Sequence, residues 1–484
     1  MRYSPLLTDL YELTMLAGYL DQGMQDQPAV FDLFFRTPPF HGSYAVFAGL
    51  ESALCYLEEL RFNDEELSYL DGLKIFRPAF LSYLEGFRFR GSVTAPPEGS
   101  VVFAREPLLT VEGSLAEAQF VETALLNIIN FQTLVATKGA RITLAASGGI
   151  VLEFGLRRAQ GPDGGLSEAR AAYIGGVRST SNVMAGKCYG IPVRGTHAHS
   201  WIMAFPDELT AFRHYAGTFP DSCILLIDTY DTLKSGLPNA LIVARELKEK
   251  GHDMVGVRID SGDLAYLSRK VRAAFDAAGF PGVKIVASNE LDEYVIESIR
   301  GEGGRIDIYG VGTRLATCAG EGGGALGGVY KLVRMGEEPK LKLTSDLAKA
   351  TLPDRKKVLR AVSPDGSFIQ DVITLYNEEL QPGDRVFDPA NPLQHIRLPA
   401  NARLVEVRSM VMREGVRCAP SPTLDACADL ASRELSLLPQ GCHRLVNPHL
   451  YKVSISQGLN TLRLKLMSQI QDRYATEQHA GDTA

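Results

Sequence analysis

Between residues 151 and 311, short and nearly unbroken apolar runs alternate with longer stretches of helical spacing. The runs occupy residues 151–154, 191–193, 223–227, 254–259, 283–287 and 306–311, and several are rich in β-branched side chains. The helical stretches between them are clearest at 239–250 and 263–278. Strands that alternate with helices predict parallel pairing through crossovers, hence a barrel or a doubly wound sheet. Continuous rather than alternating apolar character predicts strands buried on both faces.

Polar residues follow the same rhythm. The runs end at Arg157 and Arg158, at Thr196 to His199, at Asp228 to Asp231, at Arg258 to Asp263, at Ser288 to Glu290 and at Gly310 to Arg314. In β/α barrels such strand ends open on one face, where reacting groups from different strands converge. Each acid or serine could also merely cap the helix that follows. Six loops in succession carrying both signs of charge favour a single assembled site.

The flanks differ in pattern. Residues 1–113 mix a helical opening, a strand-like run at 29–35 and a Pro/Gly-punctuated stretch at 91–113, which predicts a mixed α/β domain. Phe120, Leu125, Ile128, Ile129, Leu134 and Val135 recur at helical spacing, predicting a long, largely buried helix at 114–146 that leads into the barrel, residues 114–335. Residues 336–484 predict a small β-rich region, punctuated by turns at 363–366 and 381–384, and then helical pieces that pack partly on the other domains. The polar tail from Gln469 is expected to fray.

Composition narrows the functional classes. A chain of 484 residues with 45% hydrophobic and 22% charged residues has the make-up of a folded protein with more than one core. A net charge of −7 gives no basic bias toward nucleic acid or anionic membranes, so any anionic ligand has to meet a local cluster. Seven cysteines without a C-x-x-C pair read as reduced thiols. Asp9 and Glu12 interrupt the first twenty residues, which therefore lack a secretory core, and no run is long enough to span a membrane without charge. A cytoplasmic location is the expectation.

Five motifs carry the most specific signal: Leu7-Thr-Asp-Leu-Tyr-Glu-Leu-Thr-Met15, Glu153-Phe-Gly-Leu-Arg-Arg-Ala-Gln-Gly161, Gly195-Thr-His-Ala-His-Ser200, Arg258-Ile-Asp-Ser-Gly-Asp263 and Gly310-Val-Gly-Thr313. In this order and spacing the chain resembles the nicotinate phosphoribosyltransferase family along nearly its whole length. The resemblance implies an incomplete α/β barrel of TIM type with an additional mixed domain, working as a homodimer with shared active sites. It also implies nicotinate and phosphoribosyl pyrophosphate as substrates, ATP as co-substrate and Mg2+ as cofactor.

The residues can be read beside that resemblance. Gly310, Gly312, Thr313 and Arg314 offer close backbone approach, a hydroxyl and a guanidinium, which suits a 5′-phosphate; a lone G-x-G would otherwise read as a tight turn. Arg258 and Asp260 share one face of an extended segment, so a cation for the substrate and a carboxylate for Mg2+ or ribose hydroxyls point together. Asp263 suits a cap. Phe154 and Arg157 lie three residues apart at a strand end, an aromatic face and a guanidinium for a pyridine carboxylate; Phe154 could equally be core.

Asn182, Tyr11 and Thr196 are assigned by the resemblance. Asn182 matches a carboxylate position of the related nicotinamide enzyme, where a neutral residue avoids repelling an acid. Tyr11 matches a nicotinate contact made across the dimer interface, and Thr196 a nicotinate contact. His199 matches the position phosphorylated by ATP, and a neutral imidazole can attack a phosphoryl group. Without the resemblance, His197 and His199 would read as structural or metal-binding. The rival readings are a nicotinamide or quinolinate phosphoribosyltransferase, a catalytically silent nucleotide-binding regulator on the same scaffold, and a lysine Schiff-base lyase, which the absence of Lys at these strand ends disfavours.

Overall fold

The computed structural model describes residues 3–343, 351–391 and 393–481, with the side chains of 474–481 left aside. The chain folds as two compact units, one of residues 135–324 and the other of residues 1–134 with 325–484. The three sequence segments are thus regrouped, the first and third sharing a unit. The boundary expected after residue 113 moves because the start of the helical stretch is part of the larger unit's core. There Phe120 packs on Phe62 and Phe87 at centroid distances of 5.7 and 5.1 Å, and the Ala118 carbonyl accepts from the Tyr330 hydroxyl at 2.6 Å.

In the larger unit, strand Pro28–Phe35 pairs antiparallel with Gly328–Met335 on one side and Leu109–Ser114 on the other, within a seven-stranded sheet. A separate six-stranded sheet runs through residues 356–456 and accounts for the β-rich character of the C-terminal region. The tail does not fray at Gln469, for helix Gln457–Gly481 continues through it. Leu459 and Asn460 bury the start of that helix, and a helix anchored at one end propagates more readily than it nucleates.

The smaller unit holds a five-stranded parallel sheet in the order Ile150–Glu153, Ile308–Val311, Lys284–Ser288, Gly256–Ile259, Ile224–Leu226. Val257, Ile259, Ile285, Val286, Leu225 and Leu226 are buried, as strands covered on both faces require. Residues 191–193 do not form the strand that their apolar run predicts. Pro192 has no N–H to donate, and Gly190 takes a left-handed φ of 72°, so the segment makes only an isolated parallel bridge between Val193 and Thr180. Thr180 in turn bridges to Glu153, which extends the sheet beyond its first strand.

Capping accounts for some strand-end acids. Asp263 accepts from the Tyr266 N–H at 2.9 Å, and Asp231 caps through Leu233 and Lys234 at 3.0 and 2.8 Å. Asp228 and Asp260 do neither, and their carboxylates are turned to other partners.

Candidate active site

All five parallel strands of the smaller unit end on one set of side chains. Alternation along Gly256–Ile259 and the residue beyond it buries Val257 and Ile259 while sending Arg258 and Asp260 to the same side. The Arg258 Nε donates to Ser288 Oγ at 2.8 Å, and its Nη2 donates to Asp260 Oδ1 at 3.1 Å. The Ser288 hydroxyl also donates to Asp260 Oδ1, so a serine on the neighbouring strand locks the pair. The guanidinium carbon lies 5.8 Å from the Phe154 ring centre, within cation–π range. Nη1 of Arg258 and Oδ2 of Asp260 carry no bond among the described residues, which leaves the two N–H groups of Nη1 and one carboxylate oxygen for a ligand.

Asp228 ties this pair to the histidine loop. Its Oδ2 accepts from the Asp260 N–H at 2.9 Å and from the Ser261 hydroxyl at 2.6 Å, and its Oδ1 lies 3.3 Å from His199 Nε2. The carboxylate is buried and hydrogen-bonded from three directions, as a buried charge requires. A carboxylate can only accept here, so the facing Nε2 carries a hydrogen, and in the neutral ring the lone pair is on Nδ1.

His197 differs from its neighbour in every respect. It is buried, its Nε2 accepts from the Leu226 N–H at 3.2 Å, its Nδ1 faces the Ala198 carbonyl at 3.3 Å, and its ring packs edge-on to Tyr215 at 4.6 Å. Burial pushes its pKa down to about 4, against the opposing pull of the Ala198 carbonyl. The ring is neutral, with the proton on Nδ1. It holds the strand Ile224–Leu226 rather than a ligand.

The two glycines of the Gly310-Val-Gly-Thr-Arg segment are needed for contact with the Phe154 loop. A Cβ on Gly310 would stand 2.7 Å from the Phe154 ring, and one on Gly312 would stand 3.0 Å from the Phe154 carbonyl oxygen. The Phe154 N–H meanwhile donates to the Val311 carbonyl at 2.8 Å. The expected aromatic platform and anion-binding turn therefore interlock. Thr313 and Arg314 follow directly, with the Glu290 carboxylate beside both: 3.3 Å from the Thr313 hydroxyl and 3.5 Å from Arg314 Nε.

Other expected residues have different surroundings. Asn182 is 1% exposed; its Oδ1 caps a helix through the Ala185 N–H at 3.1 Å, and its Nδ2 donates to the Gly165 carbonyl at 3.2 Å. A helix cap set by local geometry thus gives both ends of its amide a partner within the chain. The Thr196 hydroxyl is likewise engaged internally, donating to the Ile224 carbonyl at 2.9 Å and accepting the His197 N–H at 2.6 Å. Arg157 is exposed on the turn Leu156–Arg158 and makes no hydrogen bond or ion pair among the described residues. Tyr11 belongs to the other compact unit, exposed on helix Leu10–Asp21.

Two residues that join the cluster had no role in the sequence reading. Asp228 and Ser288 were visible only as polar groups at strand ends, and their partners lie about thirty positions away. Among the described residues no group of three or more His, Cys, Asp or Glu is arranged to hold a metal. The free Asp260 oxygen fits a cation that brings most of its oxygens with the substrate, as Mg2+ does on phosphates.

Comparison with known proteins gives a consistent result. A family model described as the nicotinate phosphoribosyltransferase N-terminal domain matches residues 6–130, one described as the nicotinate phosphoribosyltransferase family matches 151–358, and one described as its C-terminal domain matches 355–463. The chain is 43% identical over 479 residues to the nicotinate phosphoribosyltransferase of Bacillus subtilis, covering 98% of this chain and 97% of that protein. It is 37% identical over 521 residues to that of Homo sapiens, covering 95% and 96%. The crystal structure of human nicotinic acid phosphoribosyltransferase superposes with a TM-score of 0.84 at 35% identity, over 95% of this chain and 99% of that one.

Proposed function

The chain belongs to the nicotinate phosphoribosyltransferase family, and from that membership we propose that it joins nicotinate to phosphoribosyl pyrophosphate with the help of ATP, yielding nicotinate mononucleotide for NAD synthesis. The observation that carries the reading is the Arg258 guanidinium, held over the Phe154 ring by Ser288 and Asp260 with one nitrogen unengaged. An aromatic face and a spare charged donor suit a planar ring bearing a carboxylate. We read the arc of parallel strands, extended by the Thr180 and Val193 bridges, as an incomplete α/β barrel.

In the ribosyl step the pyridine nitrogen lone pair forms the bond to the anomeric carbon. The bond from that carbon to pyrophosphate breaks, and its electron pair leaves with the pyrophosphate. No proton moves, so no base is needed. Phe154 and Arg258, with Arg157 at the same strand end, orient the ring. The Gly310 to Arg314 segment receives the 5′-phosphate, and Asp260 faces the ribose. Mg2+ would be held by Asp260 together with substrate oxygens, where its charge opposes that of the departing pyrophosphate. Positioning and charge stabilisation supply the catalysis.

ATP acts through His199. Its Nδ1 takes the γ-phosphoryl group, ADP leaves, and hydrolysis later returns free histidine and phosphate. Asp228 orients the ring through Nε2–H. A phosphoimidazole adds charge and acceptor oxygens to the site. In the homodimer that the family implies, Tyr11 reaches the partner's pocket.

The deciding experiment compares nicotinate, nicotinamide and quinolinate with phosphoribosyl pyrophosphate, with and without ATP, by product formation. Turnover of nicotinate alone, faster with ATP, is the expected result. Preference for either other ring overturns the substrate assignment, and tight binding without turnover favours a silent regulator.

A further inference from the structure

Glu290 stands where a ligand is to bind. The Thr313 hydroxyl and the Arg314 guanidinium are to receive the 5′-phosphate, yet a carboxylate of the chain already lies 3.3 Å from the first and 3.5 Å from the second. A carboxylate offers the same acceptor oxygens as a phosphomonoester, with less charge. Both side chains are largely exposed, Glu290 at 61% and Arg314 at 40%, although Arg314 Nε itself is buried, and pairs between exposed side chains hold weakly.

The backbone bearing this carboxylate is in a conformation its side chains disfavour. Asn289 and Glu290 take successive left-handed φ values of 91° and 45° without being glycine. Ser288 before them and Leu291 after them are buried, so the ends of the turn are fixed and the two exposed residues bridge between them. Backbone in this region persists only where its surroundings hold it. Ser288 is also the residue that bonds Arg258 and Asp260. The turn therefore links the anion-binding end of the site to the ring-binding end.

We propose that the Glu290 carboxylate is an internal stand-in for the substrate 5′-phosphate, occupying Thr313 and Arg314 in the free enzyme and displaced when phosphoribosyl pyrophosphate binds. This rests on the assignment of Thr313 and Arg314 to that phosphate. A dianionic phosphate outcompetes a single exposed carboxylate, but its apparent affinity is lowered by the exchange, because a state already occupied must first be vacated. The contact thus tunes substrate affinity without taking part in the chemistry.

Glu290→Gln keeps the shape of the side chain and removes its charge at an exposed position. Titration of the native chain and the variant with inorganic phosphate is read by calorimetry, and the KM for phosphoribosyl pyrophosphate is read in the nicotinate assay. Phosphate should bind the variant about two- to fivefold more tightly, the shift an exposed ion pair produces, with KM falling in step and kcat maintained. Unchanged or weaker phosphate binding overturns the proposal, and weaker binding would make Glu290 a ligand-contacting residue instead. The two readings separate cleanly. A variant that turns over nicotinate but binds phosphate no better sinks the stand-in alone. If neither protein makes product, the proposed function falls, and the phosphate titration still decides the stand-in.

Discussion

His199 Nε2 and Asp228 Oδ1 lie 3.3 Å apart across two loops of the smaller unit, the imidazole 40% exposed and the carboxylate 1%. A buried acceptor thus fixes one nitrogen of an accessible ring. The free nitrogen is Nδ1, and we predict that ATP phosphorylates His199 there. Nuclear magnetic resonance of the labelled phosphoenzyme distinguishes the two isomers. Phosphate recovered on Nε2, or on another residue, contradicts the geometry. His199→Asn should retain slow synthesis without ATP and lose ATP hydrolysis, and Asp228→Asn should lower the extent of phosphorylation about tenfold or more by releasing the ring.

His197 should govern stability rather than ATP coupling. Its pKa lies near 4 in the folded chain, below the ordinary imidazole value, so between about 4 and 6.5 the unfolded chain binds the extra proton. The stabilisation is complete above that window and is lost as pH falls through it, by at most about 3 kcal/mol. Thermal melting of His197→Gln between pH 4 and 7 should show a flatter profile than the native chain, with ATP stimulation kept. An unchanged profile would remove His197 from this role.

Arg258→Ala should cost nicotinate use roughly 1.5–3 kcal/mol, more than tenfold in kcat/KM, since the charge-assisted bond is lost. The native chain should discriminate against nicotinamide by a similar factor. Steady-state kinetics with both rings test this, and normal nicotinate kinetics in the variant would place the carboxylate elsewhere.

Tyr11→Ala and Arg258→Ala proteins, each strongly impaired alone, should regain part of the lost activity when mixed and allowed to exchange subunits. One site in each hybrid dimer would then have both residues intact. A fully active monomer in sedimentation, or no recovery despite demonstrated exchange, counts against a shared site.

Much of the scaffold is determined by the sequence itself. Continuous apolar runs separated by helical periods specify parallel strands, and Asp263 before an amphipathic stretch specifies a cap, because both depend on neighbours within a few residues. Arg258 and Asp260 share a side for the same reason, two residues being one strand period. What depends on the lateral order of strands was invisible. Only the placement of Lys284–Ser288 beside Gly256–Ile259 brings Ser288 to Arg258, and only the Ile224–Leu226 strand beyond brings Asp228 to His199. Tertiary packing likewise assigned His197 to a backbone N–H and Glu290 to Thr313. Periodicity fixes which way a side chain points along its own strand; which side chain it meets is set by burial of the sheet as a whole, summed over residues far apart in the chain.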